Sequence, residues 1–374
     1  MKNKILTLCL LVLVAAGGFF SIYLREKPPA VPQTEPAKIE TQIPTSSQVE
    51  DLKIGILGES RSDGSEDLSF NQKILSELFQ VLNERNISAI FFTGNLTLGW
   101  SKTQEAAKEK PQKKNLDLSK NLLRNDWTAK GFLYDPTIFR SQLKQFYTFV
   151  NSSFSYPIAF YPMMGDHEAI GLKATEIFEE ELKVKSDNPS IDQISYSVSI
   201  GDAFFAVIPT NYYDTEKKEI IEHTITPDTL TWLKTVLNEA KAHHKYLFVM
   251  GHEPAFSTLS IFNKPFGLES HPEQRDAFWN ILKEHGVLAY FSSHEHVYDR
   301  SNRDGVWQII SGGGGSPLNQ GGENNHAFFH CLLLTIPQQE EGVPSVTVLD
   351  KEGNIRDSFE LNQEKQPLHQ FRIS

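Results

Sequence analysis

Ile158-Ala159-Phe160-Tyr161-Pro162-Met163-Met164-Gly165-Asp166-His167-Glu168 is the stretch on which the fold turns. An apolar run of strand length, rich in aromatic residues, stops at a glycine and releases three ionisable side chains in a row. The same design recurs four times. Lys53 to Leu57 runs into Gly58-Glu59-Ser60-Arg61, and Ile87 to Thr93 into Gly94-Asn95-Leu96. Tyr246 to Met250 runs into Gly251-His252-Glu253-Pro254, and Leu288 to Phe291 into Ser292-Ser293-His294-Glu295-His296.

Helix-like stretches separate these runs. Phe70 to Glu84 carries apolar residues at helical spacing, and Asp135-Pro136 opens a second stretch that reaches Val150. Thr226-Pro227-Asp228 opens a third, to His243, and Pro272 a fourth, to His285 before Gly286; proline at the first helical position suits such starts. Strands alternating with helices predict a layered α/β fold, in which ligands bind beyond the carboxyl ends of the strands. After Gly312 the pattern changes to three antiparallel strands, Phe328–Ile336, Ser345–Leu349 and Ile355–Leu361, with Lys351-Glu352-Gly353-Asn354 as a hairpin turn.

The remaining segments read differently. Residues 1–27 hold Lys2 and Lys4, an apolar run from Ile5 to Leu24, then Arg25, Glu26 and Lys27. The run is long enough to cross a bilayer as an uncleaved signal anchor, and Val14-Ala15-Ala16 equally offers a signal peptidase its small residues. Either reading exports the rest of the chain, to the periplasmic or extracellular side of a membrane or, if cleaved, as a secreted protein. Residues 28–50, with Pro28, Pro29, Pro32, Pro36 and Pro44 among polar side chains, are expected to be a disordered tether before a folded domain over 51–374. Residues 101–130 carry eight Lys and Arg against four Asp and Glu. They read as a polar, Lys-rich insertion, either simply solvated or a basic lid that draws in an anion.

Composition sets limits on function. The 374 residues carry a net charge of -11, which argues against a nucleic-acid binder that must neutralise phosphates. Only Cys9 and Cys331 are present, so neither a disulfide framework nor a thiolate cage is available. Oligomeric state leaves no trace.

The polar clusters bring together His167, His252, His294 and His296 with Glu59, Asn95 and Asp166. Imidazole nitrogen with carboxylate or amide oxygen, and no sulfur, is a ligand set for ions such as Zn, Mn or Fe. Two neighbouring ions would clamp both oxygens of an in-line displacement and generate hydroxide near neutral pH. That is the chemistry of phosphate-ester hydrolysis.

Gly165-Asp166-His167-Glu168, Gly251-His252-Glu253-Pro254 and Ser293-His294-Glu295-His296-Val297-Tyr298-Asp299-Arg300 resemble the last three motifs of calcineurin-like metallophosphoesterases, nearest the purple acid phosphatase branch. Ile309-Ile310-Ser311-Gly312-Gly313-Gly314-Gly315-Ser316-Pro317-Leu318 resembles the glycine-rich stretch that follows them there. The resemblance covers about residues 53–320 in order. It implies a four-layer α/β/β/α sandwich and one or two divalent or trivalent metal ions, Fe, Mn or Zn. It also implies hydrolysis of a phosphate ester by metal-bound hydroxide. Carried over residue by residue, Asp166, His252 and His294 would hold the second metal. Glu59 and His296 would hold the first, with Asn95 at the bridging position. His167 falls where the family has a histidine that assists the leaving group or stabilises charge. Arg61 replaces a metal-binding histidine, and its guanidinium suits a substrate phosphate.

Three departures accompany this match. Glu59 stands where the family has Asp, Asn95 where it has the bridging Asp, and Asp166 where it has Asn. The formal charge over the three positions is -2 in both cases, so charge has moved rather than disappeared. Leu98 occupies the place of the iron-binding tyrosine, which predicts no purple chromophore and a weak first-metal site. The alternative is a binding or scaffold protein on the same fold that has lost turnover. Among the other histidines, His223 shows no partner pattern in the sequence.

Overall fold

The computed structural model describes residues 50–63, 69–102, 132–189, 193–258, 267–319, 326–339 and 341–362, all within one compact unit. The N-terminal apolar segment, the Pro-rich tether up to residue 49 and all of the Lys-rich insertion after Lys102 lie outside these residues.

Two six-stranded sheets form the centre. In the first, β1 (Leu52–Leu57), β2 (Ala89–Phe92) and β5 (Ala159–Pro162) run parallel, and β14 (His330–Ile336), β15 (Ser345–Asp350) and β16 (Ile355–Glu360) continue antiparallel from β1. In the second, β7 (Ala203–Val207), β10 (Tyr246–Met250), β11 (Ala289–Ser292) and β13 (Val306–Ser311) are parallel. Their edges are closed by antiparallel β6 (Tyr196–Ile200) and β12 (Tyr298–Arg303). Two short ribbons, β3 (Ser101–Lys102) with β4 (Phe132–Leu133) and β8 (Tyr212–Asp214) with β9 (Glu219–Ile221), stand outside them.

Side-chain alternation decides what each face meets. In β7, Phe205 and Val207 join the core shared with the first sheet, while Phe204 and Ala206 face the other way. Phe91 of β2 meets Phe205 with ring centroids 4.6 Å apart, which places the sheets face to face. Helices α1 (Gln72–Asn83), α2 (Pro136–Ser152) and α3 (Ala174–Leu182) pack into the first core; Phe146 of α2 lies edge-on to Phe92. Helices α4 (Pro227–Ala240) and α5 (Pro272–His285) cover the outer face of the second sheet through Leu233, Leu237, Phe278 and Leu282.

Helix starts follow local chemistry. Asp135 accepts N–H bonds from Thr137 and Ile138 ahead of Pro136, and Thr226 caps α4 at Thr229 ahead of Pro227. Asn71 caps α1 through Ile74 N–H and also donates from Nδ2 to the Gly315 carbonyl at 2.8 Å. Thus the helix start is tied to the glycine-rich loop. That loop passes under the first polar cluster: a Cβ on Gly314 would lie 2.4 Å from the Gly58 carbonyl oxygen, so only glycine fits.

The element pattern departs from the sequence expectation at polar edges. Tyr298 to Arg300, which close the motif quoted above, open edge strand β12 (Tyr298–Arg303), and Ile309 to Ser311 of the glycine-rich stretch are the end of strand β13 (Val306–Ser311). Helix α3, strands β6 and β7 and the β8–β9 ribbon also had no counterpart in the sequence reading. Among the described residues no helix is long and apolar enough to cross a membrane.

Candidate metal centre

All five polar clusters meet at one end of the two sheets. Backbone bonds stitch the first three: Glu59 N–H donates to Gly94 O, and Ser60 and Arg61 N–H both donate to Asn95 O. The Glu168 carboxylate binds the other loops together, accepting the N–H groups of Asn95 (2.9 Å), Gly165 (3.0 Å) and Thr97 (3.1 Å). The buried Glu295 carboxylate accepts from the Ser257 and Thr258 hydroxyls, holding the His294–His296 turn against the loop after β10.

Glu59, Asn95, His223, His294 and His296 all have positive φ. For residues other than glycine the left-handed region costs about 1–2 kcal/mol, least for Asn. Such strain, concentrated at one place, marks a functional site when the surroundings hold it.

The ligand atoms fall into two groups. On one side, His252 Nε2 lies 2.9 Å from Asp166 Oδ1, and His294 Nδ1 lies 3.1 Å from His252 Nε2 and 3.5 Å from Asp166 Oδ1. An ion about 2.1 Å from each donor sets neighbouring donors about 3.0 Å apart in an octahedron and about 3.4 Å apart in a tetrahedron. The triangle matches that spacing. The other nitrogen of His252, Nδ1, bonds the Thr93 carbonyl at 2.8 Å, so its Nε2 lone pair points inward, as a ligating imidazole requires. These residues fit a metal ion.

On the other side, His296 Nε2 lies 2.9 Å from Glu59 Oε2, with His296 Nδ1 on the Pro317 carbonyl at 2.7 Å. Glu59 Oε2 also accepts from the Ser316 hydroxyl at 3.3 Å, and Arg61 Nε stands 3.9 Å away. Asn95 lies between the groups. Its Nδ2 donates to Glu59 Oε1 at 2.8 Å and to Asp166 Oδ1 at 2.9 Å, and its Oδ1 accepts the His167 N–H at 3.1 Å.

Electrostatics follow from this crowding. Burial would raise the Glu59 carboxyl, but His296, His252 and Arg61 outweigh it and hold it at about 2. Burial would likewise raise Asp166, yet the facing His167, His252 and His294 keep it well below the usual carboxylate range. His252 is raised to about 9 against its burial by Asp166 and Glu59, two carboxylates that favour positive charge at this place, whether carried by a proton or by a metal ion. His167 behaves oppositely. Burial and the Arg61 charge lower it to about 3. Its Nδ1–H donates to the Leu98 carbonyl at 2.8 Å and its ring packs on Trp100, leaving Nε2 as a lone pair 3.9 Å from Asp166 Oδ2.

A third group was invisible in the sequence. His223 Nδ1 bonds the Glu253 carboxylate, which also accepts the His223 backbone N–H at 3.2 Å. Glu253 pushes His223 up to about 9 against its burial, and the neighbouring Glu222 is raised to about 8 by burial and Asp166. The His223 ring lies edge-on to His294, 5.8 Å between centroids. His223, Glu253 and His294 could themselves hold an ion, as could Glu59, His252 and His294. His223 arrives just after the β8–β9 ribbon and meets a partner thirty positions downstream. No local spacing announces that pairing; the Glu253 of Gly251-His252-Glu253-Pro254 was the one available hint.

Two facing sheets with imidazoles and carboxylates gathered at the carboxyl ends of their parallel strands define the class of layered α/β metal-dependent hydrolases. The chain belongs to the calcineurin-like phosphoesterase family, whose family model matches residues 67–298. Glu59 and Arg61 precede the matched span. No curated protein matches the sequence.

Among solved structures, the chain is similar to a purple acid phosphatase from seeds of yellow lupin (Lupinus luteus). The two share 14 % identity at a TM-score of 0.57, covering 83 % of this chain and 53 % of the lupin chain. This chain therefore spans about half the length of the lupin protein. It is also similar to a dimetal phosphatase from Danio rerio, with 11 % identity and a TM-score of 0.54, covering 84 % of this chain and all of that one. At these identities the likeness is one of fold.

Proposed function

We propose that the protein hydrolyses a phosphate ester, using metal held by Asp166, His252 and His294. The observation that carries this reading is the triangle of their ligand atoms, 2.9, 3.1 and 3.5 Å on its sides. Family membership supports the reaction class. A bound ion supplies Lewis acidity and lowers the pKa of water.

The chain's own residues supply the rest. Arg61 is the phosphate clamp: its Nε is buried without a hydrogen-bond partner among the described residues, beside Glu59. A fixed guanidinium with an unused donor is suited to a phosphoryl oxygen whose charge grows in the transition state. His167 acts through Nε2. With Nδ1–H committed to Leu98, that atom accepts a hydrogen bond and orients the attacking water or the leaving-group hydroxyl, leaving charge stabilisation to Arg61. Glu59 and His296 position Arg61 and the glycine-rich loop. The segment over 1–27 anchors the protein to a membrane or is cleaved on export, so the reaction takes place outside the cytoplasm; membrane fractionation with carbonate extraction separates the two outcomes.

Full-length protein loaded with Mn, Fe or Zn is expected to hydrolyse p-nitrophenyl phosphate or its bis ester, and to lose that activity on chelation. Absence of turnover with all three metals on both esters would overturn the enzyme reading and return the chain to a binding role.

A further inference from the structure

We propose that this chain holds a single metal ion, at Asp166, His252 and His294, and that the Arg61 guanidinium and the Asn95 amide take the place of a second. The inference rests on the function proposed above and concerns how its site is built.

The two sides of the centre differ in donors. The Asp166 side presents three inward lone-pair donors at ligand spacing. Among the described residues the Glu59 side presents two of its own, Glu59 Oε2 and His296 Nε2; Glu59 Oε1 stands 3.6 Å from His252 Nε2, an atom that already belongs to the other triangle. The third group that reaches inward there is Asn95, and it reaches with Nδ2. An amide NH2 has two hydrogens to give and no lone pair for a metal. Its orientation follows from its neighbours. Oδ1 accepts the His167 N–H, and Nδ2 donates to one carboxylate on each side. Turning the amide over would set Nδ2 against that N–H and Oδ1 against both carboxylates, losing all three bonds. Asn95 therefore links the two sides with hydrogen bonds instead of a shared oxygen.

Charge points the same way. Arg61 is cationic at any accessible pH, and its Nε lies 3.9 Å from the same Glu59 oxygen that meets His296 and Ser316. That oxygen already has its positive and hydrogen-bonding partners. A second dication there would displace the Ser316 and His296 contacts and face the guanidinium directly. The positive charge that balances Glu59 comes from the chain itself and carries donors free for phosphate.

The test uses the full chain, stripped with chelator, loaded with Mn(II) and desalted, read by elemental analysis and by electron paramagnetic resonance. The expected result is one Mn per chain with a six-line spectrum free of exchange coupling. Asp166→Ala is expected to abolish binding, and Glu59→Gln to leave it at one. Two Mn per chain with an exchange-coupled spectrum would overturn the inference while leaving the phosphoesterase reading standing. Retention in Asp166→Ala with loss in Glu59→Gln would also overturn it, by putting the ion on the other side. No Mn, together with no turnover, would remove both. The Arg61→His, Asn95→Asp double variant is expected to rise to two ions; if that variant fails to fold, the wild-type stoichiometry and spectrum still decide.

Discussion

The two sides of this centre are built from similar residue types to opposite effect. Asp166, His252 and His294 converge with their ligand atoms 2.9 to 3.5 Å apart, the spacing of donors around one cation. Glu59 and His296 lie at the same 2.9 Å separation, yet Asn95, Ser316 and Arg61 surround the carboxylate and satisfy it from within the chain. The lesson is that a carboxylate and an imidazole in contact do not make a metal site by themselves. What decides is whether the remaining neighbours leave lone pairs unused. The second side is also the one whose first cluster precedes the span matched by the family.

The sharpest way to break this comparison is to remove one carboxylate from each side. Asp166→Ala is expected to lower turnover of p-nitrophenyl phosphate by on the order of 10³-fold, the upper range for losing transition-state charge stabilisation. Glu59→Gln, which acts through positioning, is expected to cost about 10-fold. Equal losses in steady-state assays would show the two sides to be equivalent.

Acid should loosen the Glu59 side first. His330 is buried, and burial lowers it from 6.5 to about 4; its ring lies where a Cβ on Gly313 would fall, behind the loop that carries Ser316. The unfolded chain binds a proton at His330 between pH 6.5 and 4 while the folded chain does not, so stability rises with pH across that window. The contribution is fully present above pH 6.5 and lost as pH falls through 4, up to about 3 kcal/mol. Urea unfolding from pH 7 to pH 4 should show this slope, and His330→Asn should flatten it; an unchanged slope would place the acid-sensitive group elsewhere.

Arg61→Met is expected to reduce kcat/KM by about 10²-fold, since one oriented donor to the phosphoryl group is lost. Arg61→Lys should recover only part of this, because a point ammonium cannot reproduce the fork. Full recovery would reduce the role of Arg61 to charge alone.

The smallest expected effect is on the scaffold common to both sides. Glu168→Gln sets an amide NH2 against one or more of three backbone N–H groups and should destabilise the protein by about 1–3 kcal/mol. Thermal unfolding measures it directly. A neutral result would mean that the loops after β2 and β5 hold each other without this carboxylate.

Much of this was readable from local chemistry. Strands β2, β10 and β11 are apolar runs because both faces are buried, and the helices α2 and α4 announce themselves by Asp135-Pro136 and Thr226-Pro227. Strand β7, Ala203–Val207, carried the same apolar mark and was missed all the same, whereas two other missed elements lack one. Helix α3 begins at Lys173 in a left-handed conformation with no side-chain cap, and β12 is an edge strand of polar residues that reads as loop. For the site, residue types and their placement at strand ends singled out Glu59, Asn95, Asp166, His167, His252, His294 and His296, and the structure brings them together.

The sequence by itself thus determined the layered α/β class and the residues that end five of the parallel strands, because apolar periodicity and turn chemistry act over a few positions. Only the tertiary structure decided that His223 meets Glu253 and that the Asn95 amide turns its donors toward two carboxylates. Those outcomes depend on which side chains compete for the same lone pairs in space, and partners 30 to 86 positions apart leave no spacing to read.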